Sequence, residues 1–294
     1  MRTKKLLKSF ILIVFLALIT IIMLYPFVFS LLAGFIKKDE FTNLGTLLPL
    51  TNSPTLKSYK VFFSSFGYTQ FLNTLIRTIW YTVIISLMSI LVGYVLARVN
   101  FRGKKFFYWF IIMAQVIPGA MVLIPSYLLY SKFPFMGGNN WMGIGGHGLI
   151  DSPLALYVGV STGHIIWIYL FKNSMEALPK DYEEAASLDG SSFLRTLFFL
   201  IVPLQKPILA VIALNTAIGT WNDFMTPFIY INNPKFDTMA GYIGKLVTQL
   251  QNYGGSNYPL IFALSTMTML PVLFIFLFFQ KYIVEGVASI GIKG

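Results

Sequence analysis

Residues 9–36 read SFILIVFLALITIIMLYPFVFSLLAGFI, 28 positions without an acidic or basic side chain. An α-helix rises about 1.5 Å per residue and a bilayer's hydrocarbon core is about 30 Å thick, so roughly 20 mostly apolar residues suffice to cross it. The stretch therefore predicts a membrane-spanning helix. The basic start before it, MRTKKLLK at residues 1–8, also suits a secretory leader. A leader's apolar region runs to only about 7–15 residues, and no clear small-residue cleavage site follows this one. The run is read as a span that stays.

Composition agrees. Hydrophobic residues make up 56% of the 294, aromatics 17% and charged residues 11%, and the mean hydropathy is +0.71. That leaves too little polar surface to cover a globule in water. The formal net charge of +11 raises the question of a nucleic-acid partner. The basic residues are dispersed and form no basic–aromatic patch, so none is expected. A membrane protein accumulates the same excess by keeping Lys and Arg on its cytoplasmic side. The absence of cysteine excludes a disulfide, a thiol nucleophile and a Cys-ligated metal. Neither His147 nor His164 has a partner set resembling a metal site, so no metal is expected either.

Working outward, further apolar segments occupy about 70–97, 106–131, 153–172, 206–230 and 258–280. The fold class expected is an all-α integral membrane protein with six transmembrane helices, both termini on one side. Fourteen of the 22 basic residues fall on the side of the termini, seven on the other, and Arg77 lies within a span. That bias places both termini in the cytoplasm. Three parts follow: a cytoplasmic N-terminus with the first helix (1–36), an extracytoplasmic segment (37–69) and a core transmembrane domain (70–294). The outer segments at about 132–152 and 231–257 carry turn-forming runs such as MGGNNWMGIGGHG and QNYGGSNY.

Between spans four and five, residues 173–205 form a cytoplasmic loop. It contains DYEEAASLDGSSFLRTLFFL (181–200), with four of the chain's eleven acids at Asp181, Glu183, Glu184 and Asp189. Pro179, then Asp181 with Glu184 three residues on, predicts a helix opened by a capping box. Acids near its start complement the helix dipole. Ala185 and Ala186 present a small surface that another backbone can approach. Gly190 is expected to stop the helix, and Ser191 or Ser192 to cap a second, apolar one. The second helix suits the membrane interface before Pro203 and Pro207 begin the next span. On pattern alone the loop equally reads as an ordinary amphipathic connector.

EEAASLDG (183–190), followed by VPLQKP (202–207) with Pro203 thirteen residues after Gly190, resembles the signature loop of bacterial ABC importer permeases. Glu184, Ala185, Ala186 and Gly190 match that signature, while Val202 stands where leucine is usual. The resemblance extends through YPFVFSLLAGF (25–35), FLNTLIRTIW (71–80), GYVLARVNFRGKKFF (93–107), VIPGAMVLIPSYLLY (116–130), TWNDFMTPFIYI (220–231) and LPVLFIFLFFQKYIVEGVASIGIKG (270–294). These are similar to the carbohydrate-uptake branch of the maltose-transporter type. It implies that the loop is a coupling helix seated in a cleft on a cytosolic ATPase. Glu183, Glu184, Ala185, Ala186, Asp189 and Gly190 would then be the coupling residues. The partners implied are a homologous second permease subunit, two cytosolic ATPase subunits, an extracytoplasmic sugar-binding protein and the lipid bilayer. The chain has no phosphate-binding G-x-x-x-x-G-K-[ST] run. ATP and Mg²⁺ therefore belong to the ATPase subunits, no cofactor is assigned to this chain, and it has no catalytic residues.

Polar groups inside spans are costly and direct attention to function. Asp223 lies 17 residues beyond Lys206, roughly 25 Å along a helix. With Trp221 and Asn222 it offers an aromatic face, an amide and a carboxylate, the groups a hydroxyl-rich ligand requires. Architecture or gating is the competing reading. Asn73 and Arg77 share one helix face. Snorkelling outward, pairing with Asp223 and lining a passage all remain open to Arg77. Gln115, His164 and Trp167 complete the pathway candidates. A permease for a non-sugar solute fits the loop alone. An intramembrane enzyme or secondary carrier fits less well, because the polar groups in the spans are isolated.

Overall fold

In the computed structural model every regular element among the described residues is helical. The structure describes residues 2–42, 47–63, 65–159, 164–252 and 257–291, without the side chains of 2–7, 65–66, 250–252, 278–279 and 281–291. The chain's last three residues and the side chains of most of the Gly-rich tail thus lie outside the described residues. So do 160–163 of the fourth expected span. The helices are α1 (Arg2–Ala33), α2 (Lys38–Phe41), α3 (Lys57–Phe63), α4 (Ser65–Arg98), α5 (Lys104–Val116), α6 (Gly119–Ser131) and α7 (Ile165–Glu176). They continue with α8 (Asp181–Leu188), α9 (Phe193–Leu204), α10 (Lys206–Asn222), α11 (Met225–Tyr230), α12 (Met239–Asn252) and α13 (Tyr258–Gly291).

Two compact units are distinguished. The first comprises Met1–Tyr68 and Ile243–Pro271. Here α1 is apolar on every side along its Lys8–Ala33 stretch, whose mean hydropathy is 2.9, and no residue from Lys8 to Leu32 is buried. That is the character of a helix surrounded by lipid or by other membrane helices rather than water. Near its end, the Ser30 hydroxyl lies 3.0 Å from that of Thr266 and donates to Phe262 O. The ring of Phe262 meets Phe29 edge-on at 5.5 Å. The Tyr59 hydroxyl donates to Leu31 O at 2.7 Å, fixing α3 beside the α1 terminus.

The second unit, Thr69–Tyr242 with Val272–Gly294, holds the main core. Tyr81, Ile85, Ile90 and Tyr94 of α4 pack with Phe171 and Met175 of α7, Leu197 and Ile201 of α9, and Ile208 and Ile212 of α10. Gly93 lets α4 and α7 approach, since a Cβ there would sit 2.9 Å from the Phe171 ring and 3.1 Å from Ile168 O. A smaller core of Tyr130, Leu149, Ile150, Leu156, Tyr230 and Ile231 seats the loop after α6 against α11.

Among the described residues, three helices are long and apolar enough to cross a membrane, or up to five spans if each bent pair counts as one. The expected spans at 70–97 and 258–280 lie within α4 and α13, and the one at 9–36 coincides with α1 up to Ala33, three residues short of its expected end. The one expected at 106–131 is broken into α5 and α6, which meet at 98°. Pro118 supplies no N–H and holds Ile117 in an extended conformation (φ −76°, ψ 112°). Over 153–172, the described residues include a 3₁₀ turn (Pro153–Leu156) ahead of α7, whose 12 residues are only about 18 Å long. The segment 206–230 is divided where Asp223 turns extended between α10 and α11. At the other end of α10, α9 meets it at 82° across Gln205. Pro203 and Pro207 flank that corner and remove the backbone donors that a continuous helix would use.

Candidate functional site

Two constellations carry the residues singled out in the sequence. The first is the acidic loop. α8 begins at Asp181, and the carbonyl of Lys180 accepts from the amides of Glu183 (2.9 Å) and Glu184 (3.1 Å). Lys180 is thus the N-cap and no side chain caps the helix, so the expected capping box does not form. With the backbone turned one residue early, Asp181 sits in the first turn beside Glu183 and Glu184. The three carboxylates still complement the positive end of the dipole.

The helix ends as expected at Gly190, whose φ is +75°. Gly190 N–H donates to Ser187 O at 3.0 Å and Ser191 N–H to Ala186 O at 2.9 Å. That is a Schellman stop, in which a left-handed residue satisfies the last carbonyls. A Cβ at Gly190 would meet no neighbour within 4 Å, so backbone conformation rather than space favours glycine there. Ser192 precedes α9 in an extended conformation without a side-chain cap bond, while Ser191 accepts from the Thr196 hydroxyl at 3.0 Å.

The faces of α8 differ. Leu188 is 89% exposed and Tyr182 47%, and Glu184, Ala185 and Asp189 are exposed beside them. An open depression between α8 and α9 is lined by Asp181, Tyr182, Ala185, Ala186, Asp189 and Leu200. Glu183 is turned the other way. Its carboxylate lies 2.9 Å from Arg98 Nε, and Arg98 Nη2 also donates to Leu178 O at 2.7 Å. Sequence reading counted Arg98 only among the basic residues after span two. Nothing local announces that it meets a carboxylate 85 positions away.

The second constellation lies on α4. Arg77 Nη2 donates to Asp223 Oδ2 at 2.6 Å, with the two side chains 5% and 26% exposed. Of the readings open to Arg77, pairing is the one observed. Its Nε faces Leu156 O at 3.4 Å, its guanidinium lies 5.4 Å from the Tyr81 ring centroid, and its Nη1 is buried without a hydrogen-bond partner. Asp223 uses its other oxygen to accept from Thr226 N–H at 3.1 Å, which helps start α11.

Side chains along the same helix hold backbone around this pair. Asn73 donates to the carbonyls of Lys235 and Asp237, both at 2.9 Å, and Gln70 to Pro234 O at 2.7 Å. Met239 N–H donates to the Thr74 hydroxyl at 2.8 Å. Trp80 donates to Tyr157 O at 3.2 Å, and Tyr81 to Gly159 O. His164 stacks on Tyr81 with centroids 5.8 Å apart. The structure thus brings Arg77, Asp223 and His164 around Tyr81, and ties Asn73 to the 235–237 backbone. Trp221 is buried against Phe71, edge-on at 5.7 Å, and Asn222 is exposed. Gln115 is half-buried on α5 and is not among the partners of Arg77 or Asp223. Trp167 packs against the main core.

A helical membrane core with an acidic, exposed helix between two of its segments is matched by one family model. Its description is binding-protein-dependent transport system inner membrane component, and it aligns with residues 89–289. The chain belongs to that family. The aligned part of this permease holds α8, Arg98, His164 and Asp223, whereas Asn73 and Arg77 precede it. The arabinooligosaccharides transport system permease protein AraQ of Halalkalibacterium halodurans is 29% identical over 285 residues, covering 95% of this chain and 94% of that protein. The galactooligosaccharides transport system permease protein GanQ of Bacillus subtilis is 29% identical over 295 residues, covering 99% and 96%. Among solved structures, a bacterial ABC transporter involved in the import of the acidic polysaccharide alginate contains a chain similar in fold. Its TM-score is 0.75 at 23% identity, covering 94% of this chain and 96% of the other.

Proposed function

We propose that this permease is the membrane-spanning subunit of an ATP-driven importer that translocates a carbohydrate, an oligosaccharide, across the cytoplasmic membrane. The observation that carries the reading is similarity along nearly the whole chain to permeases named for oligosaccharide transport, AraQ and GanQ among them. The chain makes six crossings, with residues 153–172 as the fourth, and both termini lie in the cytoplasm. Residues 1–36, 37–69 and 70–294 are its first helix, outer segment and core. It works beside a homologous second permease, two cytosolic ATPase subunits that bind ATP and Mg²⁺, and an extracytoplasmic sugar-binding protein. A solved alginate transporter bound to a substrate-loaded periplasmic protein has the same fold, with a TM-score of 0.64.

The coupling residues are Glu183, Glu184, Ala185, Ala186, Asp189 and Gly190, on α8 and the turn that ends it. Glu184 and Asp189 offer charge to a basic rim, and Ala185 and Ala186 permit close seating. Binding-protein docking outside and ATP-driven closure inside bias the spans between outward-open and inward-open arrangements. The polar set on α4 serves the architecture of the outer half: Gln70, Asn73, Trp80 and Tyr81 donate to the protein's own backbone and Arg77 holds Asp223. Deleting the gene should abolish uptake of one class of labelled oligosaccharide in a panel, with restoration by the intact gene. Unchanged uptake of every oligosaccharide, with loss of amino-acid or phosphate uptake, would contradict the carbohydrate reading.

A further inference from the structure

Arg98 occupies an unusual position. It is the last residue of α4, its side chain is only 8% exposed, and its carboxylate partner Glu183 is 17% exposed. Most ion pairs at a helix terminus stay solvated and contribute little. This one is withdrawn from solvent and is joined by a second bond to Leu178 O. One guanidinium therefore grips both the segment leading into α8 and the first turn of α8 itself. A planar, forked donor is suited to two acceptors in fixed directions, which a lysine ammonium is not.

The consequence is mechanical. α8 is joined to its neighbours in sequence through Leu178–Lys180 and through the left-handed Gly190. Arg98 adds a side-chain link from α8 directly to α4. The same helix carries Arg77, 21 positions earlier, or about 31 Å away along the axis. There it holds Asp223 and faces Leu156 O.

We infer that Arg98 is a positioning residue that fastens the acidic helix to α4. A displacement of α8 then moves α4 as a strut toward the Arg77–Asp223 end. The inference rests on the proposed docking of α8 with an ATPase and adds the route by which its movement enters the bundle. Glu183 accordingly faces inward to the strut, and Glu184 outward to the partner.

The test uses the assembled importer in proteoliposomes with its binding protein and ATPase subunits. It compares wild type, Arg98→Gln, Arg98→Lys and the swapped pair Arg98→Glu/Glu183→Arg. ATPase retention on affinity purification, ATP turnover and sugar uptake are read together. Arg98→Gln should retain the ATPase subunits and ATP turnover while uptake per ATP falls about tenfold, the scale set by losing charge-assisted bonds. Arg98→Lys and the swapped pair should recover part of that ratio. An unchanged ratio in Arg98→Gln, or uptake and turnover falling together without recovery in the lysine and swapped variants, would overturn the strut. Failure of the wild-type chain to retain any ATPase would instead remove the docking reading on which it rests.

Discussion

Arg77→Met should destabilise the permease by about 3–5 kcal/mol, because the Asp223 carboxylate is left partly buried without its counter-ion. Thermal unfolding of the purified subunit checks this, as a fall in the melting midpoint. The same carboxylate still accepts from Thr226 N–H, so the second variant must preserve that acceptor. Arg77→Met/Asp223→Asn does so while removing both charges. It should regain most of the loss, since replacing a buried pair by neutral groups is often close to neutral. If the two losses simply add, the pair contributes nothing as a pair, and the outer end of α4 is held by Gln70, Asn73 and Thr74 instead.

Glu184→Lys is expected to act on transport rather than stability. The side chain is exposed and makes no hydrogen bond or ion pair among the described residues, so the amount of subunit in the membrane should be unchanged. Uptake should fall about a hundredfold, the effect of placing a repulsive charge where a docked carboxylate belongs. Quantitative immunoblotting beside labelled-sugar uptake separates the two quantities. Normal uptake in this variant would mean that the partner does not read Glu184.

Long apolar runs made α1, α4 and α13 readable directly, because hydropathy reports whether a segment belongs in lipid. It does not report direction. Pro26 and Pro271 lie inside continuous α1 and α13, whereas Pro118 separates helices that meet at 98°. The difference depends on Ile117 turning extended and on Gly119 opening α6, which an apolar average cannot reveal. The stop at Gly190 was legible because left-handed backbone selects glycine. The capping box was not realised, since Lys180 became the N-cap and moved Asp181 into the helix. Among the site residues, the Arg77–Asp223 pair could be named as one option from two opposite charges in the second and fifth expected spans. Asn73 could not be recognised as a clamp on the Lys235 and Asp237 carbonyls, because backbone acceptors leave no trace in side-chain identity. Arg98 passed as one more basic residue because its carboxylate partner lies 85 positions away in the chain.

The central claim is that an ATPase subunit seats on the exposed face of α8, and Leu188, 89% exposed, is the direct probe. The chain contains no cysteine, so Leu188→Cys creates a single labelling site. A membrane-impermeant maleimide should reach it from the cytoplasmic face of inverted vesicles stripped of ATPase, and adding the ATPase subunits back should block the reaction. Labelling from the outside of intact cells, or labelling that the ATPase leaves unchanged, would contradict the account.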